Sequence, residues 1–297
     1  MKNSEQDNVT SLTESTINRR AFVKAAGFTG LGLAGAALVA GKLGVMDKVP
    51  GASALGFKPT SVESAGITDV DILNFALNHE SLEAEFYTMA FYGKRISDFG
   101  IGETGTGDYG PTTGGQKVNF ANTYLMRGSA SLGAVAEEIT ADEQEHVRLL
   151  RSALGSAAVA KPAINLDALG IGFADYQQFV QLSRAFEDTG VSAYGGAAPL
   201  IASKAYLGVA VQIGLLEAYH ASVVRLVCAG LNLPTFALDS LDFPPPPTGK
   251  QYFDDKNGLT VVRTPGEVLA IVYHNSASGT RKGGFFPYGV NGNINTV

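Results

Sequence analysis

Glu143-Gln144-Glu145-His146 and Glu217-Ala218-Tyr219-His220 decide how this chain is read. In each stretch a glutamate stands three residues before a histidine. On an α-helix, positions i and i+3 share a face, so both side chains can reach one cation. The chain has only four histidines, His79, His146, His220 and His274. Chance gives two such pairs among four histidines in roughly one sequence of seventy, so the spacing needs support from its surroundings. Apolar neighbours supply part of it: Ile139 and Leu150 flank the first pair, Leu216 and Val223 the second. The alternative for both pairs is a solvated helical face with incidental spacing.

Working outward, two further acids complete a pattern. Two metal ions in a bundle core take a lone Glu from each of two helices and a Glu-x-x-His from each of the other two. Glu80 and Glu187 supply the lone glutamates, and the chain order Glu80, Glu143/His146, Glu187, Glu217/His220 is the order that architecture needs. Glu80 falls within the apolar stripe Leu73, Leu77, Ala84, Tyr87 and Phe91, whereas Glu83, one turn on, is the competing choice. Glu187 has Arg184 one turn before it, so its alternative is an exposed ion pair. Glu187 and Glu217 are equidistant from about residue 202, close to the Pro199 break, and Glu80 and Glu143 from about residue 112, inside a glycine-rich loop. Antiparallel helix pairs therefore place the ligands level. Tyr87 and Tyr194 each stand seven residues after a lone glutamate, placed to hydrogen-bond the ligands from behind. Asp142 is placed to orient a histidine across the site. No acid precedes Glu217, where Leu216 stands. His79 and His274 are expected at the surface or in packing, and Cys228 in the core.

Charge agrees. Four buried carboxylates without cations repel one another and lose hydration, and two divalent ions offset both costs. Carboxylate and imidazole ligands suit iron, with manganese the alternative. With a single cysteine, thiolate metal sites and an intrachain disulfide framework are excluded. The formal net charge of −6 carries no basic concentration to meet phosphates, so nucleic acid is not an expected partner.

The beginning of the chain reads as an address. Asn18-Arg19-Arg20-Ala21-Phe22-Val23-Lys24 is a twin-arginine pattern, followed by an uncharged apolar run over residues 25–40 and a small-residue site, Ala52-Ser53-Ala54. Residues 1–54 are thus expected to be a signal peptide directing export to the periplasm or beyond. The run is short for a membrane span, which takes about 20 apolar residues. An uncleaved anchor is the alternative.

The rest divides into four apolar-periodic segments and a tail. Thr68 is a plausible N-cap for a helix to about Tyr92. A glycine- and threonine-rich loop spans residues 93–117. A second helix is expected from about Asn119 to Leu154, a third from near Phe173 to about Tyr194–Ala198, and a fourth from about Ser203 to Ala229 with Gly230 as its cap. Past Pro234 the character changes. Four prolines occupy residues 244–247, and residues 259–262 and 268–273 look like strands. The tail, residues 231–297, is too apolar for a disordered one and is expected to wrap the bundle, residues 68–230.

At these residues the chain resembles the ferritin-like superfamily. The likeness is carried by residues 73–87 (LNFALNHESLEAEFY), by Asp142 to His146, and by Glu187 to Tyr194. It is most similar to the exported ferritin-like domain of desiccation-related proteins, whose ending Gly283-Gly284-Phe285-Phe286-Pro287 also resembles. The resemblance implies an all-α, antiparallel four-helix bundle with a long loop between the first two helices and a C-terminal extension of little regular structure. It implies metal-dependent, ferroxidase-like redox chemistry with oxygen or peroxide, in stress or desiccation protection. Glu143 and Glu217 would bridge two ions, with Glu80 and Glu187 terminal. Peroxide disproportionation by manganese is one alternative. A non-catalytic envelope protein stapled by its metal is another. The export pattern, the long loop and the extension depart from storage ferritins. A homo-oligomer, and an envelope or surface partner held by the extension, are compatible with the likeness.

Overall fold

The computed structural model describes residues 66–125, 131–253 and 258–297. The twin-arginine stretch and its cleavage site lie outside them. Four long helices form the frame: α1 (Asp69–Tyr92), α2 (Leu132–Leu154), α3 (Tyr176–Ala197) and α4 (Lys204–Gly230).

Each helix starts where the chain offers an N-cap. Thr68 and Asp71 form a reciprocal capping box on α1, while Ser131, Asp175 and Ser203 cap α2, α3 and α4 through their side-chain oxygens. Gly93 closes α1 in the left-handed conformation. The start of α2 differs from the expected one near Asn119. Asn122 is left-handed, with φ 59°, and Tyr124 bridges to Ser131, so this stretch is a loop and the helix begins at Leu132. The fourth helix runs one residue past Ala229, with Leu231 rather than Gly230 as its cap.

The helices pair antiparallel, because partners step backward on one as they step forward on the other. Along α3 and α4, Val180 meets Cys228, a Cβ on Gly190 would meet Glu217, and one on Gly214 would meet Tyr194. Between α1 and α2, His146 lies 3.1 Å from Glu80, while Thr140, earlier in α2, lies 3.4 Å from the carbonyl of Tyr87, later in α1. An aromatic cluster holds one end of the core. Phe86 stacks on Phe179 at 5.4 Å and meets Phe173 and Phe186 edge-on. Truncating such a ring to alanine costs about 3–5 kcal/mol.

The loop after α1 is tied down. Its two-residue strand β1 (Thr112–Thr113) pairs in parallel with β2 (Ile164–Asn165) in the connector before α3. Buried Lys161 donates to the Gly110 carbonyl and to Thr112, with Glu85 and Glu103 each 3.5 Å away.

The tail packs on the bundle. Phe285 meets Phe186 at 5.0 Å, and Asn291 exchanges backbone hydrogen bonds with the Asn78 side chain. Arg225 of α4 donates to the carbonyls of Tyr252 and Phe243, and Arg184 of α3 pairs with Asp242. The tail also reaches α3 closely at Gly196, where a Cβ would sit 1.9 Å from the Arg263 carbonyl. Residues 259–262 form no regular element, and residues 268–273, expected as a strand, lie mostly in a short helix, α5 (Pro265–Val272). Its reason is local: Thr264 and Glu267 make a capping box around Pro265, and that outweighs the β-branched composition.

Candidate metal centre

All six expected ligands point into the bundle. Glu80, Glu143, Glu187 and Glu217 are at most 1% exposed, and His146 and His220 are buried. Ligand atoms of Glu80, Glu143, His146 and Glu217 lie within 4.8 Å of one another, and so do those of Glu143, Glu187, Glu217 and His220. Glu143 and Glu217 belong to both groups. The cluster is therefore two adjoining four-ligand positions that share two carboxylates.

Both histidines face the cluster through Nδ1. His146 Nδ1 lies 3.1 Å from Glu80, 3.3 Å from Glu143 and 3.4 Å from Glu217. His220 Nδ1 lies 3.2 Å from Glu143 and 3.4 Å from Glu187. These last contacts are close but poorly aligned, and His220 Nδ1 makes no hydrogen bond among the described residues. The same holds for Glu143 Oε1, Glu187 Oε2 and both Glu217 oxygens. Buried polar atoms almost always find partners, and each one left without costs about 1–3 kcal/mol. Here the orphaned atoms are electron-pair donors aimed at common points, as cation ligands are.

Supporting residues stand where expected. Tyr87 donates to Glu187 and Tyr194 donates to Glu80, crossing between α1 and α3. His220 Nε2 lies 3.1 Å from Asp142 Oδ2, so the imidazole donates outward to an acid on α2 while Nδ1 faces inward. Arg184 pairs with Asp188 and Asp242, which leaves Glu187 to the interior.

The electrostatics show what such a cluster costs without cations. Burial, then the neighbouring charges of Glu217, Glu143, Glu80 and Glu187, push Glu83 well above the ordinary carboxylate range. Burial and then Glu143 do the same to Glu217. Burial also raises Glu187. Burial opposes ionisation of Glu80 as well, but His146 beside it outweighs this and brings it below the usual value. Burial disfavours both imidazolium ions, yet Glu80 and Glu143 beside His146, and Glu187 beside His220, raise both rings far above the ordinary histidine range. The carboxylates are thus seeking positive charge.

Glu83, the competing choice in α1, is a fifth buried carboxylate beside the four ligands. It does not belong to either four-ligand group. The equivalent place in α3, three residues past Glu187, is Gly190. Any Cβ there would lie 2.4 Å from Glu217 Oε2 and 3.4 Å from Glu83 Oε1. The sequence reading missed Gly190. A glycine inside a helix costs roughly 1 kcal/mol against alanine, and its presence one turn past a lone glutamate was the available sign.

The remaining histidines and the cysteine take no part. His79 is sandwiched between Phe75 and Phe286, its Nδ1 donates to the Phe75 carbonyl, and burial pushes its pKa down to about 4. His274 is exposed. The Cys228 thiol is buried in the core, which pushes it up to about 12 and leaves it inert.

Comparison with known families gives a match over residues 68–229, described as a ferritin-like domain. No curated protein matches the chain.

Proposed function

The chain belongs to the ferritin-like domain family, and from that premise we propose that it is an exported oxidoreductase whose six buried ligands hold two divalent ions, iron before manganese, for redox chemistry with oxygen or peroxide. The observation that carries this reading is the pair of four-ligand groups sharing Glu143 and Glu217, with orphaned oxygens and an orphaned ring nitrogen directed inward. Two ions held side by side supply a two-electron change in one place.

The protein's own contribution is charge, orientation and exclusion of water. Four ligand carboxylates match the four positive charges of two divalent ions, so loading offsets the burial, and then the repulsion, that raise Glu217. Tyr87 and Tyr194 fix the two terminal carboxylates through charge-assisted hydrogen bonds, and Asp142 fixes the His220 ring. Glu83 adds a fifth acid beside the shared carboxylates, able to hold a proton at the edge of the centre.

Export by the twin-arginine route to the periplasm or outside, and a role in stress or drying, belong to the same proposal. They are supported by Asn18 to Lys24 and the apolar run after it. The test is direct. The full chain, stripped of metal and reloaded anaerobically with Fe(II) or Mn(II), should bind two ions per chain and then consume oxygen or peroxide. Glu143→Ala, which removes a ligand from both positions, should abolish both. Turnover unchanged in a folded Glu143→Ala variant that has lost its ions would reduce the metal to a structural staple. Oxygen evolved from peroxide by the manganese form would move the reading to a catalase.

A further inference from the structure

The two metal positions are built by an exchange of helix pairs. Replacing α1 by α3 and α2 by α4 takes Glu80 to Glu187, Tyr87 to Tyr194, Glu143 to Glu217 and His146 to His220. Two acids beside the ligands have no counterpart under this exchange. One is Glu83 against Gly190. Its foremost charged neighbours, Glu217 and Glu143, are the carboxylates common to both positions, so it weighs on both. The other distinguishes them. Asp142, just before Glu143, accepts from His220 Nε2 at 3.1 Å. The corresponding residue before Glu217 is Leu216, and among the described residues no carboxylate pairs with His146 Nε2.

A carboxylate behind a ligating imidazole fixes its tautomer and ring plane and makes the facing nitrogen a better donor. Among the described residues, only His220 has that support. Resting on the two-ion reading above, we infer that the two positions differ in affinity, that the one made by Glu187 and His220 fills first, and that Asp142 is the positioning residue that sets this order. The position made by Glu80 and His146 then holds the more exchangeable ion. Nothing in the ligand set itself produces this difference, because each position has the same three carboxylates and one imidazole.

The experiment is a titration of the metal-free full chain with Co(II), read by calorimetry and by the visible absorption of bound cobalt. Two steps are expected, the first tighter by about tenfold or more, the usual weight of such an outer partner. Glu187→Gln should remove the tight step, and Glu80→Gln should spare it. Asp142→Asn should weaken the tight step by about 10–100-fold while leaving the other within about threefold, so that the steps merge. Leu216→Asp should strengthen the weak step. It also decides the matter should Asp142→Asn fail to fold. Two indistinguishable steps in the native chain would overturn the inference, as would loss of the tight step in Glu80→Gln or an equal weakening of both steps by Asp142→Asn. A chain that takes up no cobalt at all would instead sink the two-ion reading itself.

Discussion

The α1–α2 pair and the α3–α4 pair carry the same working parts: a lone glutamate, a tyrosine seven residues on, and a glutamate–histidine pair on the partner helix. Each tyrosine serves the opposite pair, since Tyr87 donates to Glu187 and Tyr194 to Glu80. Neither pair is therefore complete alone. Their surroundings differ. Next to the first pair stand Glu83 and Asp142, both acids; at the same places in the second stand Gly190 and Leu216. The tail treats them differently too. Arg225 and Arg184, on the second pair, anchor tail segments through Asp242 and backbone carbonyls. In the proposed reading the shared parts make a site for two ions, and the unshared ones tell the ions apart.

The comparison can be broken most severely at the shared carboxylates. Glu143→Ala or Glu217→Ala removes a ligand from both positions at once. Elemental analysis should fall from two ions per chain to fewer than one, whereas Glu80→Ala or Glu187→Ala should each spare the opposite position. Next comes Gly190→Ala. Its Cβ would press on Glu217 Oε2 at 2.4 Å, so the shared carboxylate must move and cobalt affinity should drop at both positions by tenfold or more. Adding the same methyl elsewhere on α3 should do far less.

A smaller effect appears as pH dependence. In the metal-free chain, Glu83 and Glu217 sit above the ordinary value of 4.5 and both imidazoles above 6.5. A group whose folded-state pKa is raised stabilises, or is tolerated, below its unfolded value. It loses that advantage as pH rises, because the folded state then binds more protons than the unfolded one. The lowered Glu80 works the other way but only near and below 4.5. The chelated protein should therefore melt at progressively lower temperature from pH 5 to pH 8, and the loaded protein should not.

Two milder substitutions sharpen the comparison. Tyr87→Phe and Tyr194→Phe each leave a buried carboxylate oxygen without its donor, which costs about 1–3 kcal/mol. Thermal unfolding should show the two losses to be of similar size if the crossed pattern is symmetric. Glu83→Gln relieves like-charge crowding and should stabilise the metal-free chain at pH 7 by about 1 kcal/mol, or some 2–4 °C. No such gain is expected at Glu80, whose charge His146 already balances.

Much of this was legible in the chain. Thr68 and Ser203 announced helix starts, and the two glutamate–histidine pairs, with the lone glutamates and their apolar neighbours, picked out the candidate ligands that the fold brings together. What failed did so for local reasons. The stretch from Asn119 to Leu125 is apolar enough to continue a helix, but Asn122 in the left-handed conformation and the Tyr124–Ser131 bridge turn it into a loop. Residues 268–273 have strand-like composition, yet the Thr264–Glu267 capping box starts a helix just before them. In both cases one turn or cap outweighed a weaker tendency spread over several residues.

By itself, the sequence determined which residue types fall on common helical faces, because a 3.6-residue repeat turns spacing into direction. That is enough to pick out five candidate ligands and to narrow the sixth to Glu80 or Glu83. It could not say whether Glu80 or Glu83 enters the four-ligand group, since both share a face of α1. Only the approach of α2, α3 and α4 decides that. Nor could it show that each tyrosine would reach the opposite pair, or that Asp142 would find His220, because these contacts join residues 78 to 114 positions apart. Distances across a bundle depend on how the helices pack, and packing is set by all the side chains at once.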